Sequence, residues 1–515
     1  MGEKRPLSLV IGIDVGTTST KAGAYTADGA AICTAAIESR LLRRPGGGVE
    51  QDPRELLDSV YAAIPACLQA GGLRGDDVVA LALTGQMAGV MGIDADWRPV
   101  TPYDSWLDTR CSPQLRWLAA EHGDAVMQRT GCPPMVNHAP KMLWWRDEHP
   151  ADYERIAAFV MPAVYVAGAI TGLTAADAFI DHTYLHFTGL ADARTGTWSP
   201  ELIGALGLDA AKLPAILTPE AEIGRLSRPA ARRSGLRAGT IVAAGLGDTA
   251  AGAFGAGIVR SGQLLDTAGT AAVLIGSVEG FHPDPGRGLI GMRGVQPGQW
   301  LPLNYVGGGG MRVPWLSALL DGDGGQAALR DLLDDAARVA AGADGLLFLP
   351  HLDGRIVPPA PAMRGGWLGL QPSHGRGHLA RSILESIAFE YATYLRSMRR
   401  LHPDVDFTDA RVIGGGARSA LWNAIKADVL GVSYERVAAE ETATRGAALV
   451  AAVAGGLLAD AAEVAAQVPV GERVEPDPAR HESYAPIVDR YAHVIDLLAE
   501  HPELMSNPSE RHLVA

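Results

Sequence analysis

The feature of this sequence that most constrains its fold is an alternation of short apolar runs with longer segments whose apolar residues recur near the helical period. The short runs are rich in β-branched residues and end in glycine-rich turns, which is typical of buried strands. Strands that alternate with helices predict an α/β fold. The apolar runs cover residues 9–13, 78–83, 240–244 and 410–413, and the helical segments cover residues 56–68, 379–398 and 419–430.

The length and charge of the chain narrow its class further. With 515 residues, the chain is longer than a single hydrophobic core usually supports, so two sizeable domains are expected. The net charge of −14, without any cluster of Lys and Arg, disfavours binding to nucleic acid or to an anionic membrane. Four cysteines without paired spacing and no secretory signal before the first strand predict reduced thiols and a cytoplasmic protein. These cysteines are Cys33, Cys67, Cys111 and Cys132.

The uncharged segment 157–176 is long enough to span a bilayer. It contains Pro162, Gly168, Gly172 and many other small residues, which favours a buried helix followed by a turn. We therefore expect no membrane-spanning segment.

The first motif with recognisable chemistry, IGIDVGTTSTK, covers residues 11–21. A strand ends in an acid and leads into a tight turn, where Gly16 lets backbone amides face an anion and Lys21 supplies positive charge. Asp14 is suited to holding Mg²⁺, which prefers oxygen ligands. A plain hairpin with a solvated Asp14 is the alternative, and no Walker loop GxxxxGK[ST] occurs in the chain. The hydroxyls offered to a phosphate are those of Thr17, Thr18 and Ser19.

A second motif, GLGDTAAG, covers residues 245–252 and places an acid where a strand passes into a helix. Asp248 at this junction has two interpretations. It could cap the helix, which is the common role of an Asp there. Alternatively, it is the general base that accepts the proton of an attacking hydroxyl.

Two further glycine turns occur in the second half of the chain, at residues 267–270 (TAGT) and 412–419 (VIGGGARS). Glycines between a strand and a helix allow the backbone to approach a flat or anionic ligand, although a purely structural turn explains them equally well. A dinucleotide-binding fingerprint is disfavoured because Ser419 stands where GxGxxG requires glycine and no acid follows at the usual distance.

The two halves of the chain show a weak internal similarity. Gly16-Thr17-Thr18 aligns with Gly269-Thr270-Ala271, and each triplet lies between two apolar strands. Two related lobes explain this pattern. We predict an N-terminal lobe at 1–255, a C-terminal lobe at 256–500 and a tail at 501–515.

Together these segments resemble the FGGY carbohydrate kinases, most closely the xylulokinase-like branch. IGIDVGTTSTK is similar to the first phosphate motif of that family, AGLGDTAAGAFGAG to its catalytic-Asp segment, DTAGTAA to its second phosphate motif and RVIGGGARSALWNAIKADVLG to its adenosine segment. Three intervening segments, LPHLDGR, GGWLGL and HLARSILESIAFEYA, are also similar to the family. The resemblance covers most of the chain and keeps the order of the motifs.

The resemblance implies an actin-like fold of two ribonuclease-H-like domains with ATP bound in the cleft between them. It also implies Mg²⁺ near Asp14 and Asp248 as the base that activates a sugar or polyol hydroxyl. Phosphoryl transfer of this kind needs mainly alignment and charge neutralisation. The residues implied to bind ATP are Thr17, Thr18, Ser19, Lys21, Gly269, Thr270, Gly310, Gly415, Gly416 and Ser419.

The sugar pocket departs from the family pattern. Met87 and Ala88 stand where xylulokinases carry Met-His, so the imidazole is missing and D-xylulose is in doubt as the substrate. In the segment 106–110, Trp106, Asp108 and Arg110 keep the family residues. Trp106 could stack on a carbon backbone while Asp108 and Arg110 bind hydroxyls, and a core Trp beside a structural ion pair is the alternative.

Several alternatives remain open at this point. The substrate could be a pentulose, a tetritol or a pentitol, and the oligomeric state, including a homodimer, is not defined. A non-catalytic actin-like regulator that binds nucleotide is a second functional class. His182 and His186 have a spacing compatible with zinc, but neither an HExxH motif nor a third ligand accompanies them.

Overall fold

The computed structural model describes residues 8–322, 325–501 and 504, which form two large β-sheets with helices packed around them. In the first half of the chain the strands are β1 (Leu9–Val15), β2 (Ser19–Thr26), β3 (Ala31–Glu38), β4 (Leu42–Arg44), β5 (Gly48–Gln51), β6 (Val78–Gly85), β7 (Met91–Ile93), β8 (Tyr103–Asp104), β9 (Ala158–Val160), β10 (Phe179–Asp181), β11 (Ala191–Asp192), β12 (Thr197–Trp198), β13 (Ala215–Leu217), β14 (Glu222–Arg225), β15 (Ile241–Ala243) and β16 (Leu246–Gly247). The helices there are α1 (Pro53–Gly71), α2 (Ser112–Thr130), α3 (His138–Glu148), α4 (Pro150–Arg155), α5 (Pro162–Thr171), α6 (Pro200–Leu206), α7 (Arg228–Ser234) and α8 (Asp248–Gly255).

The second half of the chain builds the other large sheet. Its strands are β17 (Gln263–Ala268), β18 (Ala272–Gly276), β19 (Val278–Glu279), β20 (Ile290–Arg293), β21 (Gln299–Val306), β22 (Leu347–Leu349), β23 (Gly366–Leu368), β24 (Asp409–Ile413), β25 (Ser433–Val437) and β26 (Val470–Val474). Its helices are α9 (Arg312–Asp321), α10 (Gln326–Arg338), α11 (Arg376–Leu401), α12 (Ala420–Leu430), α13 (Thr442–Ala454), α14 (Ala462–Ala466) and α15 (Pro478–Glu500).

The two sheets share one topology. In the first, β1 and β3 both pair antiparallel with β2, β1 pairs parallel with β6, and β6 pairs parallel with β15. In the second, β17, β18, β21, β24 and β25 repeat that arrangement in the same order and directions. The expected α/β fold of two ribonuclease-H-like domains is therefore confirmed.

The predicted elements correspond to observed ones. The four apolar runs fall on β1, β6, β15 and β24, and the three helical segments fall on α1, α11 and α12. The Asp52 side chain caps helix α1 by accepting a hydrogen bond from the backbone N–H of Arg54, and Pro53 occupies the first turn. Strand β1 is buried along its length apart from Asp14, as expected for a strand inside a sheet.

Helix α13 connects the two halves of the molecule. It follows β25 in sequence but packs on β1, β6 and α8 of the first half. A Cβ on Gly12 or Gly255 would lie 1.8 Å from a backbone oxygen of α13, and a Cβ on Gly446 would lie 2.1 Å from a backbone oxygen of α8. Glycine is required at these positions for the backbones to approach so closely. The boundary at residue 255 stays a prediction, because residues 442–454 follow it in sequence but pack on the first sheet.

The uncharged segment 157–176 forms a short strand and a short buried helix. β9 and α5 occupy it, and the backbone of Gly172 closes α5 in the left-handed conformation. Within the part of the chain that the structure describes, no helix combines the length and the apolar character needed to cross a bilayer.

Candidate active site

Two carboxylates meet at one edge of the first sheet. Asp14 lies near the end of β1 opposite Thr84 of β6, and β16 pairs with the same end of β6 through Leu246 and Gly247. Asp248 follows directly as the first residue of α8. Because β1, β6 and β16 run parallel, their carboxyl ends place both acids at the same edge.

Burial dominates the electrostatics of both acids, and the proximity of Asp248 adds to its effect at Asp14. Burial, followed by the nearby Asp248 carboxylate, raises the pKa of Asp14 to about 7. Burial also raises the pKa of Asp248 to about 6, against the opposing effect of a hydrogen bond from the Thr249 hydroxyl at 3.1 Å. Asp14 Oδ1 is buried and has no hydrogen-bond partner among the described residues. A cation at Asp14 would relieve both its desolvation and the repulsion between the acids.

The hydroxyl-lined turn between β1 and β2 has the predicted tight geometry. The Gly16 N–H donates to the backbone oxygen of Ser19 at 3.1 Å, which closes the turn. Thr17 Oγ1 accepts a hydrogen bond from Trp106 Nε1 at 3.0 Å, so two predicted groups are in contact. Trp106 is 44% exposed, so part of its side chain is accessible to a ligand.

Lys21 has a partner that the sequence did not indicate. Its ammonium group lies 2.9 Å from both carboxylate oxygens of Glu441, the residue just before α13. The pair joins β2 of the first half to the segment that returns from the second. The predicted contact of Lys21 with phosphate stays a prediction, because in this structure its charge is directed at Glu441.

Six residues predicted to bind ATP line one cavity of about 610 Å³ in the second half of the molecule. The loop after β17 forms one side, and the glycine loop between β24 and α12 forms another. A Cβ on Gly310 would lie 1.7 Å from the backbone oxygen of Gly269, so two loops touch there through glycine backbones. The six are Gly269, Thr270, Gly310, Gly415, Gly416 and Ser419.

The rest of this cavity has an apolar wall that sequence analysis missed. Leu329 and Leu333 come from α10, Ile383 and Ile387 come from α11, and Trp422 comes from α12. The spacing of four residues within each pair shows that each helix presents one face to the cavity. This spacing marks buried helix faces in general, so it could not separate a cavity wall from ordinary core.

Asp108 and Arg110 bind one another and other residues of the protein. Arg110 forms salt bridges with Glu50 at 2.9 Å, with Asp104 at 2.9 Å and with Asp108 at 2.7 Å. Asp108 also accepts a hydrogen bond from the backbone N–H of Val49 at 2.8 Å. This is the arrangement of the alternative interpretation, a structural ion pair. The predicted contacts of Asp108 and Arg110 with sugar hydroxyls stay predictions.

Met87 lies beside the helix that begins with Asp248. A Cβ on Gly247 would lie 2.4 Å from Met87 Cε, and the Met87 backbone oxygen is 2.6 Å from His138 Nε2. Ala88, next in sequence, is half-buried. The neighbouring Gln86 has a buried Oε1 without a hydrogen-bond partner among the described residues.

The histidine pair considered for zinc is separated in its contacts. His182 Nε2 bonds the backbone oxygen of Gly294 at 3.0 Å, whereas His186 is buried beside Phe187. Among the described residues, no group of three or more His, Cys, Asp or Glu side chains is arranged to hold a metal ion.

Comparisons with known proteins show the family to which the chain belongs. Residues 9–255 match the N-terminal domain of the FGGY family of carbohydrate kinases, and residues 266–455 match its C-terminal domain. The chain therefore belongs to the FGGY family of carbohydrate kinases. It is an enzyme that transfers a phosphoryl group to an alcohol group.

Individual relatives support this assignment over most of the chain. A xylulose kinase of Bacillus subtilis is 26% identical over 90% of this chain and 91% of the relative. An L-xylulose/3-keto-L-gulonate kinase of Escherichia coli is 28% identical over 95% and 97%. The crystal structure of a xylulose kinase from Rhodospirillum rubrum superimposes with a TM-score of 0.88 at 29% identity, covering 96% of this chain and all of the other.

Proposed function

We propose that the protein transfers the γ-phosphoryl group of ATP to a hydroxyl of a ketose, with Asp248 as the general base. The observation that carries this proposal is the meeting of Asp14 and Asp248 at the edge of the first sheet, beside the hydroxyl-lined turn. Two acids, one phosphate turn and a glycine-lined cavity supply the alignment and charge neutralisation that phosphoryl transfer requires.

ATP would be bound by residues of both sheets. The apolar wall around Trp422 suits the flat face of a base, and the glycine loops at Gly269 and Gly415 let backbone N–H groups approach the phosphates. The turn at Gly16–Thr18 occupies the equivalent position on the first sheet and would meet the transferred phosphoryl group. ATP would thus extend from the second half of the molecule towards the first.

Asp248 would act on the acceptor hydroxyl. Its carboxylate is bonded by the Thr249 hydroxyl at 3.1 Å, and a pKa of about 6 leaves it ionised at neutral pH yet basic enough to take a proton. Asp14, with its orphaned oxygen, would hold Mg²⁺, which would neutralise charge on the phosphates. Closure of the lobes would exclude water and so limit ATP hydrolysis without transfer.

A ketose acceptor is supported by the names of the relatives, which act on xylulose or on L-xylulose and 3-keto-L-gulonate. Trp106 offers a partly exposed aromatic side chain, and Gln86 Oε1 is a buried acceptor that a substrate hydroxyl would satisfy. Ala88 stands where xylulokinases carry His, and its smaller side chain would leave room for an acceptor other than D-xylulose. The acceptors to be compared are therefore pentuloses, other ketoses, tetritols and pentitols.

The proposal is tested with the purified protein, ATP, Mg²⁺ and a panel of ketoses and alditols in a coupled ADP-release assay. We expect at least one ketose to stimulate ADP release, with a phosphomonoester signal of equal amount in the ³¹P spectrum. Preference for an alditol would shift the acceptor class and retain the kinase. ATP binding without any phosphorylated product from the panel would contradict the proposal and favour a nucleotide-binding regulator.

A further inference from the structure

Helix α8 carries Asp248 at its first position and ends in a well-defined turn. The Gly257 N–H, at a φ of 79°, donates to the Phe254 backbone oxygen at 2.9 Å. The Ile258 N–H donates to the Ala253 backbone oxygen at 3.0 Å. These two bonds form a Schellman motif, which satisfies part of the carbonyl row at the end of the helix.

The next two carbonyls of the row are bound by arginine side chains. Arg445 Nη1 donates to the Gly255 oxygen at 2.8 Å, and Arg411 Nη1 donates to the Ala256 oxygen at 2.7 Å. Both arginines are buried, with exposures of 3% and 9%. Positive charge at the carboxyl end of a helix and a carboxylate at its amino end are each favoured by the helix dipole.

The same two guanidinium groups bind segments outside α8. Arg445 also donates to Gly29 at 3.2 Å and to Val464 at 2.9 Å, in both cases to the backbone oxygen. Arg411 donates to the backbone oxygen of Ala466 at 3.3 Å. The carboxyl end of α8 is thereby tied to the turn after β2 and to α14.

The origin of each arginine links α8 to the nucleotide cavity. Arg411 lies on β24, the strand that leads directly into the glycine loop containing Gly415 and Gly416. Arg445 lies on α13, which also packs closely on the strand that carries Asp14. Elements of both the cavity and the Asp14 strand therefore converge on the end of the helix that carries Asp248.

We propose that Arg445 and Arg411 are positioning residues that set where Asp248 stands relative to the bound nucleotide. Helix α8 is about 12 Å long at 1.5 Å per residue, so a shift of its carboxyl end is transmitted to its first residue. A misplacement of about 1 Å at a reacting group lowers the rate about 100-fold. This inference rests on the proposed function, because it assumes that Asp248 is the base.

The test compares Arg445→Met, Arg411→Met and the charge-preserving Arg445→Lys with the wild type. We expect the Met variants to lower kcat for the ketose about 10-fold to 100-fold, while the KM for ATP and the affinity for ADP change less than about twofold. Arg445→Lys keeps the charge but cannot bond several carbonyls at once, so it recovers only part of kcat.

A matched control separates positioning from loss of stability. Arg146→Met removes the same kind of contact from another helix, since Arg146 Nη1 donates to the backbone oxygens of Leu206 and Gly207 at the carboxyl end of α6, at 2.6 and 3.1 Å. We expect it to lower the melting temperature and to leave kcat unchanged well below that temperature. The melting temperature of each variant is measured alongside its kinetics.

Wild-type kcat in folded Arg445→Met and Arg411→Met would overturn the inference, as would a loss of ADP affinity parallel to the loss of kcat. If the Met variants do not fold, Arg445→Lys decides, because reduced kcat at unchanged ADP affinity supports positioning and wild-type kcat contradicts it. A wild-type protein that phosphorylates no acceptor would instead overturn the proposed function.

Discussion

The two halves of the molecule share a strand order but differ in what they place at the strand ends. In the first half, Asp14 stands two residues before the hairpin glycine, whereas Thr267 holds that position in the second. In the first half, β6 is followed by Gln86 and Met87, whereas in the second half the corresponding strand β24 is followed by the triple glycine at 414–416. The first sheet thus presents acids and polar groups, and the second presents a glycine-lined cavity. One topology used twice can divide a reaction between chemistry and nucleotide binding.

The largest expected effect tests the chemical half of this comparison. Asp248→Asn keeps the shape of the side chain but removes the base, so we expect kcat to fall by about 10²-fold to 10⁴-fold. Steady-state kinetics with circular dichroism check that the fold is retained. Asp209→Asn, which changes an exposed helix-capping acid, serves as the control and should keep full activity. Turnover near the wild-type rate in Asp248→Asn would remove Asp248 as the base.

The second prediction tests the nucleotide half. A Cβ on Gly415 would meet no atom within 4 Å, so the side chain of Gly415→Val would start from open space at the lining of the cavity. We expect the KM for ATP to rise about tenfold, since added bulk in a binding pocket costs roughly 1–3 kcal/mol. Gly204→Val, also without neighbours at the Cβ position, is the matched control. An unchanged KM for ATP would place the nucleotide elsewhere.

The third prediction concerns pH and again distinguishes the two halves. Burial raises the pKa of Asp248 to about 6, and only the deprotonated carboxylate can accept a proton. At saturating Mg²⁺ we therefore expect kcat/KM for the ketose to be level above about pH 7 and to fall about tenfold per pH unit below 6. ADP affinity, which we propose depends on the cavity of the second half, should not show this step. An acid limb that persists in the residual activity of Asp248→Asn would assign the step to another group.

The smallest expected effect concerns Lys21, which joins β2 of the first half to Glu441, the residue before α13. Its salt bridge with Glu441 is about one-third exposed on both side chains, so solvent screening limits its contribution to about 0.5 kcal/mol of unfolding free energy. A double-mutant cycle of Lys21→Gln and Glu441→Gln measures this coupling by denaturation and by kinetics. If Lys21 serves only as a bridge, both single variants change kcat/KM equally. A much larger loss in Lys21→Gln would assign its charge to phosphate.

The fold and the glycine turns could be predicted from the sequence because their signals are local. The apolar run 9–13 followed by Gly16 indicates a strand and a turn within a few residues. Likewise, the position of Asp248 before a run of small residues marks a helix start. The six predicted residues line one cavity, five of them from the two glycine turns and Gly310 from the turn after β21. Their contacts with ATP stay predictions.

The remaining contacts depend on packing between distant segments. Lys21 meets Glu441, 420 residues away, and no pattern near either residue indicates this pairing. Arg445 similarly binds carbonyls that become available only after α8 ends in its turn. The interpretation of Asp108 and Arg110 likewise required the position of Glu50. The contacts of Lys21 and Arg445 are set by how helix α13 packs across the first sheet. Those of Arg110 depend on the pairing of β5 with β8, and local periodicity encodes neither arrangement.

A crystal structure with a non-hydrolysable ATP analogue, Mg²⁺ and the preferred acceptor tests most directly whether the two halves share one nucleotide. We predict the base of the nucleotide beside Trp422, the terminal phosphate at the turn after Asp14, and the acceptor hydroxyl within about 2.6–3.2 Å of Asp248. A nucleotide bound outside the cavity, or an acceptor hydroxyl out of reach of Asp248, would contradict the shared site.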